Sequence, residues 1–140
     1  VLTVAYGLIV HFMGDMHCPE HIRYLGEDMT IGYYNVMLGK EAIRYHTLWD
    51  DRILTVKRPW SFSDLAYLID RITPAQAKAI TAGDVWAWGK DSAECSYPVH
   101  AVKEGEKLEK NYLLNYLPLA ENQILKAGYR LAAVLNAIFR

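Results

Sequence analysis

Four of the five histidines in this 140-residue sequence lie close together and alternate with two aspartates. His11 and Asp15 are four residues apart, His46 and Asp50 repeat that spacing, and His21 lies between the two pairs. On a helix, side chains four residues apart project from one face with Cβ atoms roughly 5–6 Å apart, so each pair can meet one metal ion or two neighbouring ions. The pattern predicts a metal site.

Imidazole nitrogen and carboxylate oxygen are donors that suit Zn²⁺, and three protein ligands leave one coordination position open for water or substrate. His21, His46 and Asp50 are able to form such a set. The two oxygens of Asp15 can bridge two ions at the roughly 3.5–4 Å separation that suits phosphoester hydrolysis. The residue types therefore favour phosphate chemistry over peptide hydrolysis.

A structural role competes with this interpretation. A single histidine in an apolar helix is usually a hydrogen-bonded core residue, and a His–Asp pair four residues apart is often only a hydrogen bond. Spacing alone leaves both interpretations open. The sequence contains no HExxH, GxSxG or P-loop pattern that would indicate a different chemistry.

The composition limits the class of protein. With 52% hydrophobic and 22% charged residues, the chain can bury one ordinary core. A formal net charge of −1 argues against a protein that binds duplex nucleic acid by neutralising many phosphates. A small or single-stranded substrate held by metals remains compatible. Cys18 and Cys95 lack zinc-ribbon spacing, and they permit one disulfide without requiring it.

Helices must position the histidines. Residues from about Val1 to Met16 predict a helix that is apolar nearly all round and belongs inside a larger body, and Cys18-Pro19 ends it. This run is about half the length that spans a bilayer, and it lacks the basic region of a signal peptide. Because the sequence starts inside the run without Met or a cap residue, we expect the natural polypeptide to begin earlier.

The other segments are also mainly helical. The stretch from Ile22 to Gly39 predicts a loop or short hairpin, and helical spacing returns from about Lys40 to Val56 before Arg58-Pro59. Cap residues then predict three further helices, and their signals are Ser61 or Ser63, Thr73 ahead of Pro74 with closure at Gly83, and Asp84.

The last stretch, from about Glu106 to Phe139, has strong helical periodicity, and Pro118 is expected to kink it or divide it in two. The charges of Glu121, Lys126 and Arg130 exclude a membrane span. The predicted fold class is all-α, a multi-helix bundle, with residues 1–140 forming a single domain portion.

Four runs of residues resemble motifs of one known family. His11-Phe-Met-Gly-Asp15-Met-His-Cys-Pro19-Glu-His21 and His46-Thr-Leu-Trp49-Asp50 resemble the HFxGDxxxPxH and HxxWD motifs of the trinuclear-zinc, single-strand-specific S1/P1 nucleases. Trp88-Gly-Lys-Asp-Ser92 resembles the family's WAxES segment, and Gly128-Tyr-Arg-Leu-Ala132 its GxRLA helix. The matches run in family order along essentially the whole chain.

This resemblance implies a mostly helical, zinc-dependent phosphodiester hydrolase that cleaves single-stranded RNA and DNA, removes 3′-phosphates from nucleotides, and is secreted or periplasmic. By motif position, His11 and Asp15 would bind one zinc, and Asp15 would also bridge to a second. His21, His46 and Asp50 would bind the remaining one. The complete site would hold up to three zinc ions, and a zinc-bound hydroxide would be the nucleophile.

The resemblance covers the C-terminal half of that family. The family's other ligands, which are its N-terminal amine, an early His and a further Asp and His, precede these motifs, as does the aromatic pocket that stacks the nucleobase. The resemblance therefore implies that this chain alone is incomplete and that its partner is the missing N-terminal segment, in the same polypeptide or as a second chain.

Three motif positions depart from the family pattern. His17, Cys18 and Glu20 stand where the family more often has a small polar residue, Gln and Leu, and the usual Gly-Gly-Asn is absent after Asp28. These changes leave the ligands intact and the substrate preference open. We expect His17 to be a solvent-facing loop residue rather than an extra ligand, and Cys18 to be a neighbour of the ligands.

Two other functions remain compatible with the same residues. A zinc-dependent phospholipase C shares the ligand architecture but needs an apolar rim for lipid. A catalytically inert, zinc-binding helical fragment needs no substrate at all.

Overall fold

The computed structural model describes residues 2–24, 33–57 and 60–139. Most of these residues are helical, and the three strands form one small sheet, so the predicted all-α class is confirmed. No helix in these ranges is long and apolar enough to cross a membrane. The elements are α1 (Leu2–His17), β1 (Asn35–Leu38), β2 (Glu41–Arg44), α2 (Tyr45–Thr47), a π-helical turn (Leu48–Arg52), α3 (Ile53–Thr55), α4 (Phe62–Ile69), α5 (Pro74–Ile80), α6 (Val85–His100), β3 (Lys107–Leu108) and α7 (Tyr112–Ile138).

Helix α7 is the central element of the bundle. It packs against α1, α3, α4 and α5, and its 27 residues continue through Pro118. Of the two expected effects of Pro118, division of the helix is therefore wrong, and a kink stays a prediction. The main core joins α7 to the small sheet, the 45–55 segment and α6, and its buried residues are Val36, Ile43, Tyr45, Leu48, Trp49, Ile53, Val99, Val102, Leu108, Tyr112 and Ala120.

Helix starts follow the predicted cap residues. The Ser61 hydroxyl accepts the Asp64 N–H and the Thr73 hydroxyl accepts the Gln76 N–H, and both sites form capping boxes. The Asp84 carboxylate accepts the N–H of Ala87 at the start of α6. These local hydrogen bonds satisfy backbone donors that the first helical turn leaves unpaired.

The segment from about Lys40 to Val56 is only partly helical. Strand β2 pairs antiparallel with β1, with Val36 opposite Ile43, and β3 pairs parallel with β1. The predicted helix is therefore wrong between Lys40 and Arg44, because Gly39, at φ +66°, forms a turn that pairs Glu41–Arg44 with β1. The predicted stop at Arg58-Pro59 lies outside the described residues.

Helix α1 leaves much of its apolar surface open. It lies against α7 and α6, and Met13 is buried there, but Val4 is 66% exposed and Phe12 61% exposed. Helix α1 was predicted to lie in the interior of a larger body, and the described residues alone do not bury it. Two neighbouring helices cover one face of a helix that is apolar on several.

Candidate metal centre

Three imidazoles and three carboxylates alternate in one continuous array. Each contact joins a ring nitrogen to a carboxylate oxygen at 3.8 Å or less. The members in order are His11, Asp15, His21, Asp50, His46 and Glu20. The structure thus brings together all five residues singled out from spacing and motif resemblance, and it adds Glu20.

Asp50 lies between His21 and His46. Its Oδ1 is 3.0 Å from Nε2 of His21, and its Oδ2 is 3.0 Å from Nε2 of His46. The two imidazole rings stack with centroids 4.6 Å apart. Ligand atoms about 2.0–2.2 Å from a tetrahedral zinc are roughly 3.3–3.6 Å from one another. Each histidine nitrogen is therefore close enough to Asp50 to share an ion with it, but the three residues together are not one of the compact donor groups among the described residues, so a single shared zinc would require the two imidazoles to draw closer.

Asp15 lies between His11 and His21. Its Oδ2 is 3.2 Å from Nε2 of His11, and its Oδ1 is 3.8 Å from Nδ1 of His21. The two oxygens face different rings, which is the arrangement that a carboxylate bridging two ions requires. The His11 side chain is 65% exposed, and among the described residues no group of three close donors includes it.

A tight turn connects the end of α1 to His21. The Cys18 N–H donates to the carbonyl oxygens of Gly14 and Asp15, each at 3.1 Å, and the His21 N–H donates to the Cys18 carbonyl at 2.9 Å. Pro19 cannot continue the helix because it has no N–H to donate. The turn brings His21 back beside Asp15.

The π-helical turn carries Asp50. Its inward residues Leu48 and Trp49 are buried, and the Trp49 ring packs edge-on against Tyr116 with centroids 5.7 Å apart. This packing fixes the turn while the half-exposed carboxylate of Asp50 joins the array. Short π-helical turns are frequent at functional sites, and nothing in the residue spacing predicted one here.

His17 is buried at the end of α1, so the predicted solvent-facing loop position is wrong. Its Nδ1 donates to the Met13 carbonyl at 2.8 Å, and its Nε2 accepts from Nη1 of Arg130 at 2.8 Å. Burial lowers the pKa of His17, and the charges of Arg130 and Lys126 lower it further, against the raising effect of the Met13 carbonyl. Both ring nitrogens are engaged, so the neutral ring connects α1 to α7.

Arg130 joins four helices next to the candidate ligands. Its Nε donates to the Ile80 carbonyl at 3.0 Å, and its Nη2 donates to Oδ2 of Asp91 at 2.9 Å. Lys126 donates to both Asp91 oxygens, at 3.0 and 2.8 Å. The guanidinium also lies 5.5 Å from the centroid of the Trp88 ring. Helices α5, α6 and α7 are thereby tied to the last turn of α1.

Sequence reasoning missed the role of Arg130, although a signal for it was present. Arg130 falls on the buried stripe of α7 that includes Leu117, Ala120 and Gln123, at helical spacing. A charge on a buried stripe requires partners, because an unpaired buried charge is strongly unfavourable. Arg130 lies in the Gly128–Ala132 motif, and its acidic partner Asp91 lies in the Trp88–Ser92 motif, which also resembles the family.

Both cysteines are free thiols. The Cys18 sulfur lies 3.9 Å from Oδ1 of Asp50, and Cys18, His21 and Asp50 form one of two compact donor groups among the described residues. Burial raises the pKa of the Cys18 thiol to about 12. That Cys18 is a neighbour of the ligands and not itself a ligand stays a prediction, because its sulfur belongs to a donor group.

Two adjoining hollows flank the array. One has a volume of about 710 Å³. It is lined by residues of α7 and by five residues of the array, which are His11, Asp15, His21, His46 and Asp50. The other, of about 790 Å³, is largely apolar, shares Asp50 and Leu54 with the first, and includes Trp60 and Phe62. Both volumes fall within the range of roughly 300–1,000 Å³ that small-molecule sites occupy.

Comparison with known proteins agrees with the motif resemblance. The model of the S1/P1 Nuclease family matches residues 2–140. Endonuclease 2 of Arabidopsis thaliana is 30% identical over 157 residues, which cover 99% of this chain and 52% of that protein. Endonuclease 4 of the same plant is 26% identical over 165 residues, covering 99% of this chain and 51% of that protein. The chain spans about half the length of these relatives, and over that span it belongs to the S1/P1 nuclease family.

Proposed function

We propose that the chain supplies zinc ligands to a phosphodiester hydrolase that cleaves single-stranded RNA and DNA and removes 3′-phosphates from nucleotides. The observation that carries this proposal is the alternating array that begins at His11, because imidazole and carboxylate are the donors zinc prefers in hydrolytic sites. The endonuclease names of the relatives support the reaction class.

Charge gives an independent argument for cations at this site. The array contains the carboxylates of Asp15, Asp50 and Glu20, and the whole chain has a formal net charge of −1. A phosphodiester is an anion, and like charges a few ångströms apart repel strongly where water is partly excluded. Bound cations between carboxylates and phosphate would reverse that repulsion.

Five residues of the array have roles in the proposal. His21, His46 and Asp50 would hold one zinc, and His11 and Asp15 would contribute to another. Asp15 would also contribute to a second ion, because its two oxygens face different histidines. The complete site would hold up to three ions. Bound zinc supplies Lewis acidity that polarises the phosphoryl group and activates water.

We further propose that a missing N-terminal segment completes the site, in the same polypeptide or as a second chain. The chain is then one portion of a larger domain. Two features support this proposal. The apolar side chains of α1 are exposed, and neither His11 nor Asp15 belongs to a group of three close donors among the described residues. The segment would bury the first feature and supply ligands at the second. By family resemblance, the assembled enzyme is secreted or periplasmic.

The decisive test measures metal and cleavage together. The chain assembled with the complementary segment is freed of metal by a chelator, restored with Zn²⁺, and assayed on a single-stranded RNA oligonucleotide, on its duplex, and on a 3′-nucleotide. We expect cleavage of the single strand and release of phosphate from the nucleotide, both dependent on Zn²⁺. Cleavage that persists without metal would disprove the proposal, and an assembly that binds zinc but cleaves nothing would support the inert fragment.

The apolar groove favours one alternative enough to test it. A zinc-dependent phospholipase C needs an apolar rim beside its metals, and the groove lined by Trp60 and Phe62 adjoins Asp50. The same preparations should therefore be offered phosphatidylcholine vesicles. Hydrolysis of the lipid without cleavage of single-stranded RNA would decide for the phospholipase.

A further inference from the structure

The buried end of the array is the carboxylate of Glu20. Its side chain is 0% exposed, and its Oε2 lies 2.7 Å from Nδ1 of His46. Burying a carboxylate is strongly unfavourable unless it is paired and hydrogen-bonded. The distance lies in the short range typical of hydrogen bonds to an ionised carboxylate, which are about twice as strong as neutral ones.

This hydrogen bond decides which nitrogen of His46 carries the proton. The ring lies between two carboxylates, since Nε2 also lies 3.0 Å from Oδ2 of Asp50. An ionised carboxylate only accepts hydrogen bonds, so a neutral ring can satisfy one of the two. Asp50 is 41% exposed and can be hydrated instead, and the Nδ1 to Oε2 distance of 2.7 Å is shorter than the Nε2 to Oδ2 distance of 3.0 Å. The two contacts therefore favour the proton on Nδ1.

We propose that Glu20 is a positioning residue that fixes His46 as the Nδ1–H tautomer and turns the lone pair of Nε2 toward the metal beside Asp50. Metal-bound histidines usually donate their other ring N–H to a carboxylate or carbonyl, which orients the ring and raises its basicity. The inference rests on the proposed zinc site.

A competing role for Glu20 is direct ligation, because Glu20, His21 and His46 form the second compact donor group. The geometry favours positioning. An ion shared by Glu20 and Nδ1 of His46 would lie on the side of the ring away from Asp50, whose Oδ2 faces Nε2. In the positioning role, Glu20 contacts one nitrogen of the His46 ring and Asp50 lies beside the other.

The first experiment reads the tautomer in metal-free protein, so it is independent of nuclease activity. Nitrogen NMR of ¹⁵N-histidine-labelled protein, at a pH where the rings are neutral, distinguishes Nδ1–H from Nε2–H, and a His46→Gln variant identifies the signals. We expect Nδ1–H in the wild type and in Glu20→Gln, whose amide oxygen still accepts, and a shift toward Nε2–H in Glu20→Leu. A wild-type Nε2–H tautomer, or no shift in Glu20→Leu, would overturn the proposal.

The second experiment measures zinc binding by calorimetry in the same variants. Loss of an outer hydrogen-bond partner typically weakens metal affinity about 10–100-fold, so we expect that loss in Glu20→Leu and less than about tenfold in Glu20→Gln. Thermal melts check folding, and Glu20→Met, which fills a similar volume, replaces the leucine variant if that one does not fold. A wild-type zinc affinity in the leucine and methionine variants would refute positioning. Equal loss of one zinc per chain in the leucine and glutamine variants would make Glu20 a ligand and also overturn the inference.

Discussion

Nη1 of Arg130 donates a hydrogen bond to Nε2 of His17 across 2.8 Å, and this contact links the last helix of the chain to the first. The Nδ1 of His17 in turn donates to the Met13 carbonyl near the end of α1, so the contact with Arg130 also fixes the position of that part of the helix. Asp15 lies in the same part. The array of candidate ligands is therefore held in place by a buried polar network that contains no ligand itself.

Replacing Arg130 by methionine should destabilise the fold. The change leaves Nε2 of His17 and the Ile80 carbonyl without their donor, and each buried polar group left unpaired costs about 1–3 kcal/mol. Chemical denaturation should show a loss of at least that size. Arg52→Met is the matched control, because among the described residues the Arg52 side chain forms an exposed ion pair with Glu41 and no buried one, and the change should alter stability by less than about 1 kcal/mol. Equal effects of the two substitutions would contradict the prediction.

Asp91 should make stability depend on acid pH. Burial by itself would raise the pKa of Asp91, but hydrogen bonds and charges from Lys126 and Arg130 outweigh it and hold the pKa below its ordinary value of 3.8. A lowered folded-state pKa adds stability that is fully present above the unfolded value and is lost as the pH falls through the folded value. Asp91→Asn should remove this part of the pH dependence.

The measurement is the free energy of unfolding between about pH 6 and pH 2 in the wild type and in Asp91→Asn. The control is Asp84→Asn, because Asp84 caps a helix and meets no cationic side chain in the network. Parallel profiles for the wild type and Asp91→Asn would show that the ion pairs contribute nothing.

Local signals in the sequence predicted most of the fold. Ser61, Thr73 and Asp84 begin their helices because their side chains accept backbone N–H groups within three residues, which needs no information from the rest of the chain. The sheet could not be predicted in the same way. Strand β3 pairs with β1 from about seventy positions away, and it is only two residues long.

The candidate ligands could be found from spacing and motif resemblance, but their support could not. His17 and Glu20 were read as departures from a motif, and their burial arises from α7 and from His46, which are distant in sequence. The contact between His17 and Arg130 spans 113 positions. Which polar residue is buried depends on tertiary packing, and a single sequence does not contain that packing explicitly.

Replacing Asp50 by alanine should abolish metal binding between His21 and His46. One of three protein donors is lost, and the two histidines alone hold zinc poorly at a site with open positions. Elemental analysis should find about one zinc fewer per assembled protein. Asp51→Ala removes a neighbouring carboxylate of the same π-helical turn and should keep the full zinc content. Unchanged zinc in Asp50→Ala would refute this ligand assignment.

Asp15→Asn should act on two metal positions at once. An amide keeps the size of the side chain but loses the negative charge with which Asp15 bridges two cations, and its oxygens face both His11 and His21. We expect zinc occupancy to fall at both positions, measured by metal content and by anomalous scattering from crystals. A loss confined to one position would mean that Asp15 does not bridge.

The exposed surface of α1 should make the isolated 140-residue chain associate with itself. Val4, Leu8 and Phe12 follow one another at four-residue spacing, and they are 66%, 47% and 61% exposed. Three large apolar side chains on one helix face form a contiguous patch, and such patches drive association when no partner covers them. Sedimentation should show oligomers or aggregates, and zinc content below that of the assembled enzyme, because His11 and Asp15 lack a third donor among the described residues.

Two variants distinguish association through the α1 patch from association through other exposed apolar residues. The double variant Val4→Thr, Leu8→Gln should make the isolated chain more monomeric, whereas Phe62→Ser should have a smaller effect, because it removes one exposed apolar side chain on α4 and leaves the α1 patch intact. Neither change touches an array residue, so any gain in solubility is not a change in metal binding. Co-folding with the complementary segment should then bury α1, restore zinc content and allow cleavage of single-stranded RNA. A monomeric 140-residue chain with full zinc content and full activity would contradict this prediction, because it would mean that residues already present in the chain complete the site at His11.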